Sequence, residues 1–192
     1  MQKVVFKNIN LSSLSKYFNL YVLISFLGWL WETAYLFFST GNLFDRGFLT
    51  LPFCPIYATV LLSLYFVLGT LEDRRGISKY IYNNTALIII YFCMSFLLPT
   101  LAELLVGTFF LNVFNMRLWD YTYLEFNSNG HIALEISTMW ALAIFFFMNK
   151  IFPHLKRLVF KLNEKTSKTV SVIFSSAIFI DLVYCAFKNI RS

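Results

Sequence analysis

Four acidic side chains lie within long apolar stretches of this 192-residue chain: Glu32, Glu103, Glu135 and Asp181. A carboxylate at the centre of a bilayer costs about 2.5–3.5 kcal/mol on insertion scales, so such residues face a partner, a water-filled cavity or a substrate. Around them stand Asp45, Arg46, Cys54, Tyr57, Trp119, Asp120, Tyr121 and Asn127, which supply an opposite charge, a thiol and hydrogen-bonding groups. Paired carboxylates can bind a cation, exchange a proton or act as general acid and base when burial separates their properties. An arginine can hold a phosphate or serve as counter-charge. Cys54, between Pro52 and Pro55, is the one cysteine placed to act as a nucleophile, whereas Cys93 and Cys185 read as small buried hydrophobes. A zinc site is not expected, because His131 has no second histidine at ligand spacing, and no cofactor motif is found. There is likewise no Walker A, dinucleotide-binding, GxSxG or HExxH pattern.

The elements that position these groups follow from composition. At 58% hydrophobic and 14% charged, with 23 Phe and 11 Tyr, the chain is too apolar for a soluble domain. The reading is an all-α integral membrane protein, a single transmembrane helical domain over residues 1–192. Windows of ~20 apolar residues predict five spans: Phe18–Thr40, Leu51–Leu71, Tyr82–Phe110, His131–Ile151 and Thr169–Phe187. The third is long enough that it must tilt, protrude or bend, and Pro99 offers a bending point. A short interfacial or re-entrant stretch is expected around 117–127. The first span is too long for a cleavable signal and should stay in the mature chain. The net charge of +6 comes without a basic helix interleaved with stacking aromatics, so nucleic acid is not an expected partner.

Lysine and arginine set the orientation. Lys3, Lys7, Lys16, Arg74, Arg75, Lys79, Lys150, Lys156, Arg157, Lys161, Lys165 and Lys168 fall in alternate segments, against Arg46, Arg117, Lys188 and Arg191 in the others. Twelve against four predicts a cytoplasmic N-terminus and an external C-terminus. All four membrane acids then fall in the outer half or near it. The basic segment from Lys150 to Lys168 reads as a cytoplasmic surface for anionic lipid.

Helical spacing groups the polar residues into stripes: Ser25, Gly28, Glu32, Tyr35 and Ser39; Ser95, Pro99, Glu103 and Gly107; His131, Glu135 and Thr138. Small and polar residues on one face of an apolar helix mark the side that packs against neighbours. Together they predict an acid-rich pocket opening outward, with Arg46 or Arg117 as counter-charge. Asp181 is expected to snorkel or to pair with Lys188.

Gly28-Trp29-x-x-Glu32, Asp45-Arg46-Gly47-Phe48-Leu49, Pro52-x-Cys54-Pro55-Ile56-Tyr57, Glu103, Trp119-Asp120-Tyr121-Thr122, Asn127-x-x-Gly130-x-Ile132 and Trp140 follow one another in a recognisable order. In this the chain resembles the bacterial family described as putative type IV ABC-transporter permeases. Asp45 stands where that family usually has Asn, Leu51 and Ala58 replace glycines, and His131 replaces a basic residue. The resemblance implies a multi-pass protein of the bacterial inner membrane working with a separate ATPase subunit. Five spans make a small transporter, so a homodimer is also expected.

Three functions follow. The first is a permease-like transport subunit whose outward acidic pocket holds a small polar or cationic solute. The second is an intramembrane enzyme acting on a lipid or lipid-linked substrate at the outer leaflet. The third is a non-catalytic membrane partner of another complex.

Overall fold

The computed structural model describes residues 11–42 and 48–190. Asp45 and Arg46 therefore lie outside the described residues. The chain forms α1 (Leu11–Thr40), α2 (Pro55–Val67), α3 (Asn84–Phe114), a small hairpin of β1 (Asn127–Ser128) and β2 (Ile132–Ala133), then α4 (Leu134–Phe146), α5 (Phe152–Phe160) and α6 (Glu164–Ile190). A π-turn over Phe147–Ile151 joins α4 to α5, so residues 134–160 form one continuous rod. Among the described residues, four stretches are long and apolar enough to cross a membrane: Ser13–Phe38, Asn84–Phe114, Leu134–Phe160 and Glu164–Asn189. The protein is a multi-pass helical protein of the plasma membrane.

Neighbouring contacts fix the directions. Tyr17 packs on Tyr65 while Gly28 meets Tyr57, so α2 runs antiparallel to α1. Glu103 meets Trp140 and Tyr91 meets Phe145, which makes α4 antiparallel to α3. Ser15 and Asn19 bond Ser167 and Ser171, so α6 runs parallel to α1. With α1, α3 and α6 pointing one way and α2, α4 and α5 the other, the start of α1 and the end of α6 lie at opposite faces of the bundle. Basic residues from all three segments expected inside gather at one end. There Lys16 donates to Phe160 O at 3.1 Å, and Asp73 pairs with Lys156 at 2.9 Å and Arg75 at 3.3 Å.

The second span differs from the expected Leu51–Leu71. Thirteen helical residues cover roughly 20 Å, less than the ~30 Å hydrocarbon core. Pro55 occupies the first turn and forces Cys54 before it into extended conformation (φ −111°, ψ 91°), so the helix starts no earlier. At the other end Gly69 turns the chain with φ +75°. Irregular backbone at membrane depth must be buried in protein and hydrogen-bonded. Leu49, Phe53 and Cys54 are buried, Cys54 N donates to Ser25 O at 3.1 Å, and Leu51 N donates to Asp181 Oδ2 at 3.0 Å.

α3 is one helix through Pro99, as its length suggested. Asn83 caps it, accepting from Thr85 N and Ala86 N, and Asn115 ends it in left-handed conformation (φ 50°). Helix 4 begins at Leu134 rather than His131, because residues 127–133 are used by the hairpin. Where Pro153 removes a backbone donor the rod widens into the π-turn, and Asn149 there accepts from Leu71 N at 2.8 Å. α6 is the least enclosed element, with an apolar face open to lipid and a seam of Ser15, Asn19, Ser167 and Ser171 against α1.

Candidate functional site

The stripe Ser95, Pro99, Glu103 and Gly107 is buried along its whole length, as i, i+4 spacing requires of a face turned to the bundle. On α1, Ser25 and Gly28 are buried and Glu32 is half-buried, but Tyr35 is 65% exposed, so the inward face ends at Glu32. On α4 the inward face is Ser137, Ala141 and Ile144, with half-buried Trp140 beside it. Glu135 and Thr138 point outward. The later helix start explains the difference, since the spacing counted from His131 crosses out of the helix.

Two carboxylates anchor the site. Glu32 Oε1 accepts from Tyr57 Oη at 2.7 Å, and Cys54 Sγ lies 3.8 Å from Oε2. Glu103, 6% exposed, accepts at Oε1 from Trp140 Nε1 at 2.9 Å and from Tyr121 Oη at 3.2 Å. Its second oxygen, Oε2, is buried and has no hydrogen-bond donor. The two halves join where Tyr57 and Trp140 meet edge to face, with ring centroids 5.4 Å apart. Cys54, Glu32, Tyr57, Trp140, Glu103 and Tyr121 thus form one connected array drawn from α1, α2, α3, α4 and the loop after α3. Among the described residues, neither carboxylate makes an ion pair.

Glycine makes the approach possible at two points. A Cβ at Gly28 would overlap the Tyr57 ring, and one at Gly107 would come within 2.8 Å of His131 Nδ1 and 3.3 Å of the Trp119 ring. The loop over the site is tied down by Trp119 Nε1, which donates to His131 O at 2.8 Å. Tyr121 N donates to Gly130 O at 3.0 Å, which aims the Tyr121 side chain at Glu103.

The other expected residues that the structure describes stand apart from this array. Asp120 is at the surface, accepting from Thr122 N at 3.0 Å and pairing with Arg117 at 3.4 Å. The bond from Thr122, helped by the Arg117 charge, holds its carboxyl below the usual carboxylate range. Asn127 closes the turn, donating to Leu124 O at 2.6 Å and accepting from Gly130 N at 3.1 Å. It also lines a cavity of about 280 Å³ with Thr100, Ile132 and Ser137, beside the 2.8 Å bond from Thr100 to Ser137. Glu135 accepts from Phe126 N at 3.4 Å, away from the array. Asp181 neither snorkels nor pairs with Lys188. It is 8% exposed and accepts from the Thr50 hydroxyl and Leu51 N, fixing the extended segment that leads to Cys54.

Trp140, named in the sequence only as a motif residue and not as one lining the pocket, joins the two halves of the array. Its place three residues after Ser137 and one before Ala141 is the signal that would have found it, once the helix is started at Leu134. Asp181 could be found only from the fold, because its partners lie 130 residues away.

No curated protein and no solved structure matches the chain. A profile of the family described as "Putative ABC-transporter type IV" matches residues 19–186, which run from within α1 to within α6 and take in the whole connected array. The chain belongs to this type IV ABC-transporter family.

Proposed function

We propose that this transport-related membrane protein is a permease-like subunit that binds a small polar or cationic solute between Glu32 and Glu103. The observation that carries the reading is the second oxygen of Glu103, buried and without a donor. An unpaired carboxylate oxygen in an apolar bundle is costly, and a positively charged or hydrogen-bonding solute removes that cost. Glu32, with Tyr57 between the two acids, forms the second wall. The charge asymmetry of the loops supports an opening toward the external face. A separate ATPase subunit supplies the energy, and the gathered basic end of the bundle is the face toward it. Uptake by proteoliposomes containing the chain and its ATPase tests the reading, with Glu32→Gln and Glu103→Gln as controls. Uptake that is indifferent to both substitutions sinks it.

The Cys54 thiol facing Glu32 Oε2 supports a second reading, an enzyme that modifies a lipid at the outer leaflet with Glu32 as base. Lipid mass spectrometry of cells carrying Cys54→Ser in place of the natural chain tests it. An unchanged lipid profile removes this alternative.

A further inference from the structure

We infer that Glu103 takes a protonated amine, an organic ammonium that carries at least one N–H, rather than an inorganic cation or a quaternary ammonium. The inference rests on the reading of Glu103 as the acid of a transport pocket and names the chemistry of its ligand. Three observations carry it.

The first is the division of labour on one carboxylate. Oε1 is held by Trp140 Nε1 and Tyr121 Oη, while Oε2 is enclosed and lacks a donor. What this oxygen lacks is an N–H or O–H aimed at it. A quaternary ammonium brings charge but no hydrogen, and leaves Oε2 as unpaired as before.

The second is the company. Trp140 and Tyr57 meet edge to face between the two acids, and Tyr121 closes the loop side. Aromatic faces attract diffuse organic cations and cover the alkyl part of an amine.

The third is the poverty of hard ligands. Calcium takes six to eight oxygens and magnesium demands an octahedron. Among the described residues, no group of three or more His, Cys, Asp or Glu is placed to hold a metal ion. Glu103 offers one oxygen, with an indole and a phenol on the other. That suits a single N–H donor and not a stripped metal ion.

The test uses the full chain in nanodiscs of neutral phosphatidylcholine near pH 7, where alkylamines are protonated. Tryptophan fluorescence, to which Trp140 contributes together with Trp29, Trp31 and Trp119, is titrated with n-butylammonium, tetramethylammonium and sodium chlorides. Saturable binding of n-butylammonium is expected, with tetramethylammonium at least about tenfold weaker and sodium unable to compete, as loss of one charge-assisted hydrogen bond implies. Glu103→Gln should weaken n-butylammonium by at least about tenfold with its melting curve preserved. Glu103→Asp, which keeps the charge, should retain the preference over tetramethylammonium. Equal binding of the two ammonium ions, no binding of n-butylammonium to the folded wild-type chain, or no effect of Glu103→Gln in a folded protein each overturns the inference. If amines fail while uptake of another solute still depends on Glu103, the ammonium assignment falls and the transport reading stands. If amines bind at Glu103 but no solute is carried, the transport reading falls alone.

Discussion

Gly28 and Tyr57 are in direct contact: the tyrosine ring fills the space that a side chain at residue 28 would occupy, and from there its hydroxyl donates to Glu32 Oε1 at 2.7 Å. The glycine is therefore part of the site without carrying any chemistry. Gly28→Ala should displace Tyr57 and destabilise the fold by about 1–3 kcal/mol, the usual range for overpacking. In a Tyr57→Ala background the same change should cost much less, because the clash is gone. A double-mutant cycle on thermal unfolding in detergent reads the coupling, and additive costs would refute the contact.

Trp140 supplies both a hydrogen bond to Glu103 and an edge against Tyr57. Trp140→Phe keeps the ring and removes the N–H. It should cost about 1–3 kcal/mol by leaving a buried acceptor short of a donor, and Glu103→Leu in the same background should recover part of that loss. Melting curves of the two single variants and the double decide it.

Asp181 holds the extended segment before α2 through Thr50 and Leu51. Asp181→Ala should loosen that segment and raise the reactivity of the buried Cys54 toward a small thiol reagent, measured with Cys93 and Cys185 replaced by Ser. Unchanged labelling would show that Asp181 does not brace the site.

At the basic end, partial burial raises Asp73, but hydrogen bonds from Lys156 and Tyr65 and the charges of Lys156 and Arg75 outweigh it and hold the carboxyl below its ordinary value. A folded value lower than the unfolded one stabilises the fold above the unfolded value, about pH 4, and the gain is lost as pH falls through the folded value. Asp73 is half exposed, so the effect should stay under about 1 kcal/mol. Asp73→Asn should therefore melt slightly below wild type at pH 7, with the gap closing as acid protonates the wild-type carboxyl. A gap that persists in acid would assign the cost to packing instead.

Orientation is checked by labelling single cysteines in intact cells. With the N-terminus cytoplasmic, cysteines at Asn42 and Ser128 should react with an impermeant reagent and one at Lys79 should not. All three positions are exposed, whereas the neighbouring Ser78 is fully buried and would stay silent on either side. Reaction at Lys79 alone would invert the topology and turn the pocket inward.

Much of this architecture is readable from local sequence because a bilayer imposes local rules. Apolar length marks the spans, the depth of a carboxylate marks its cost, and i, i+4 spacing marks the buried face of α3 from Ser95 to Gly107. The same spacing went astray on α4, where a hairpin uses residues 127–133 and the inward face runs through Ser137, Ala141 and Ile144 instead. It also overran on α1, where the bundle stops at Glu32 and leaves Tyr35 in the open.

The sequence by itself determined that Glu32 and Glu103 sit in apolar helices and need company, since hydrocarbon gives an isolated carboxylate nothing to bind. Only the tertiary structure decided what that company is. Tyr57 reaches Glu32 because Gly28 makes room, Trp140 reaches Glu103 because α4 runs antiparallel to α3, and Asp181 serves the backbone of residues 50–51 instead of Lys188. Such pairings join residues 25 to 130 positions apart. They depend on which helices lie side by side, and periodicity within one helix carries no record of its neighbour.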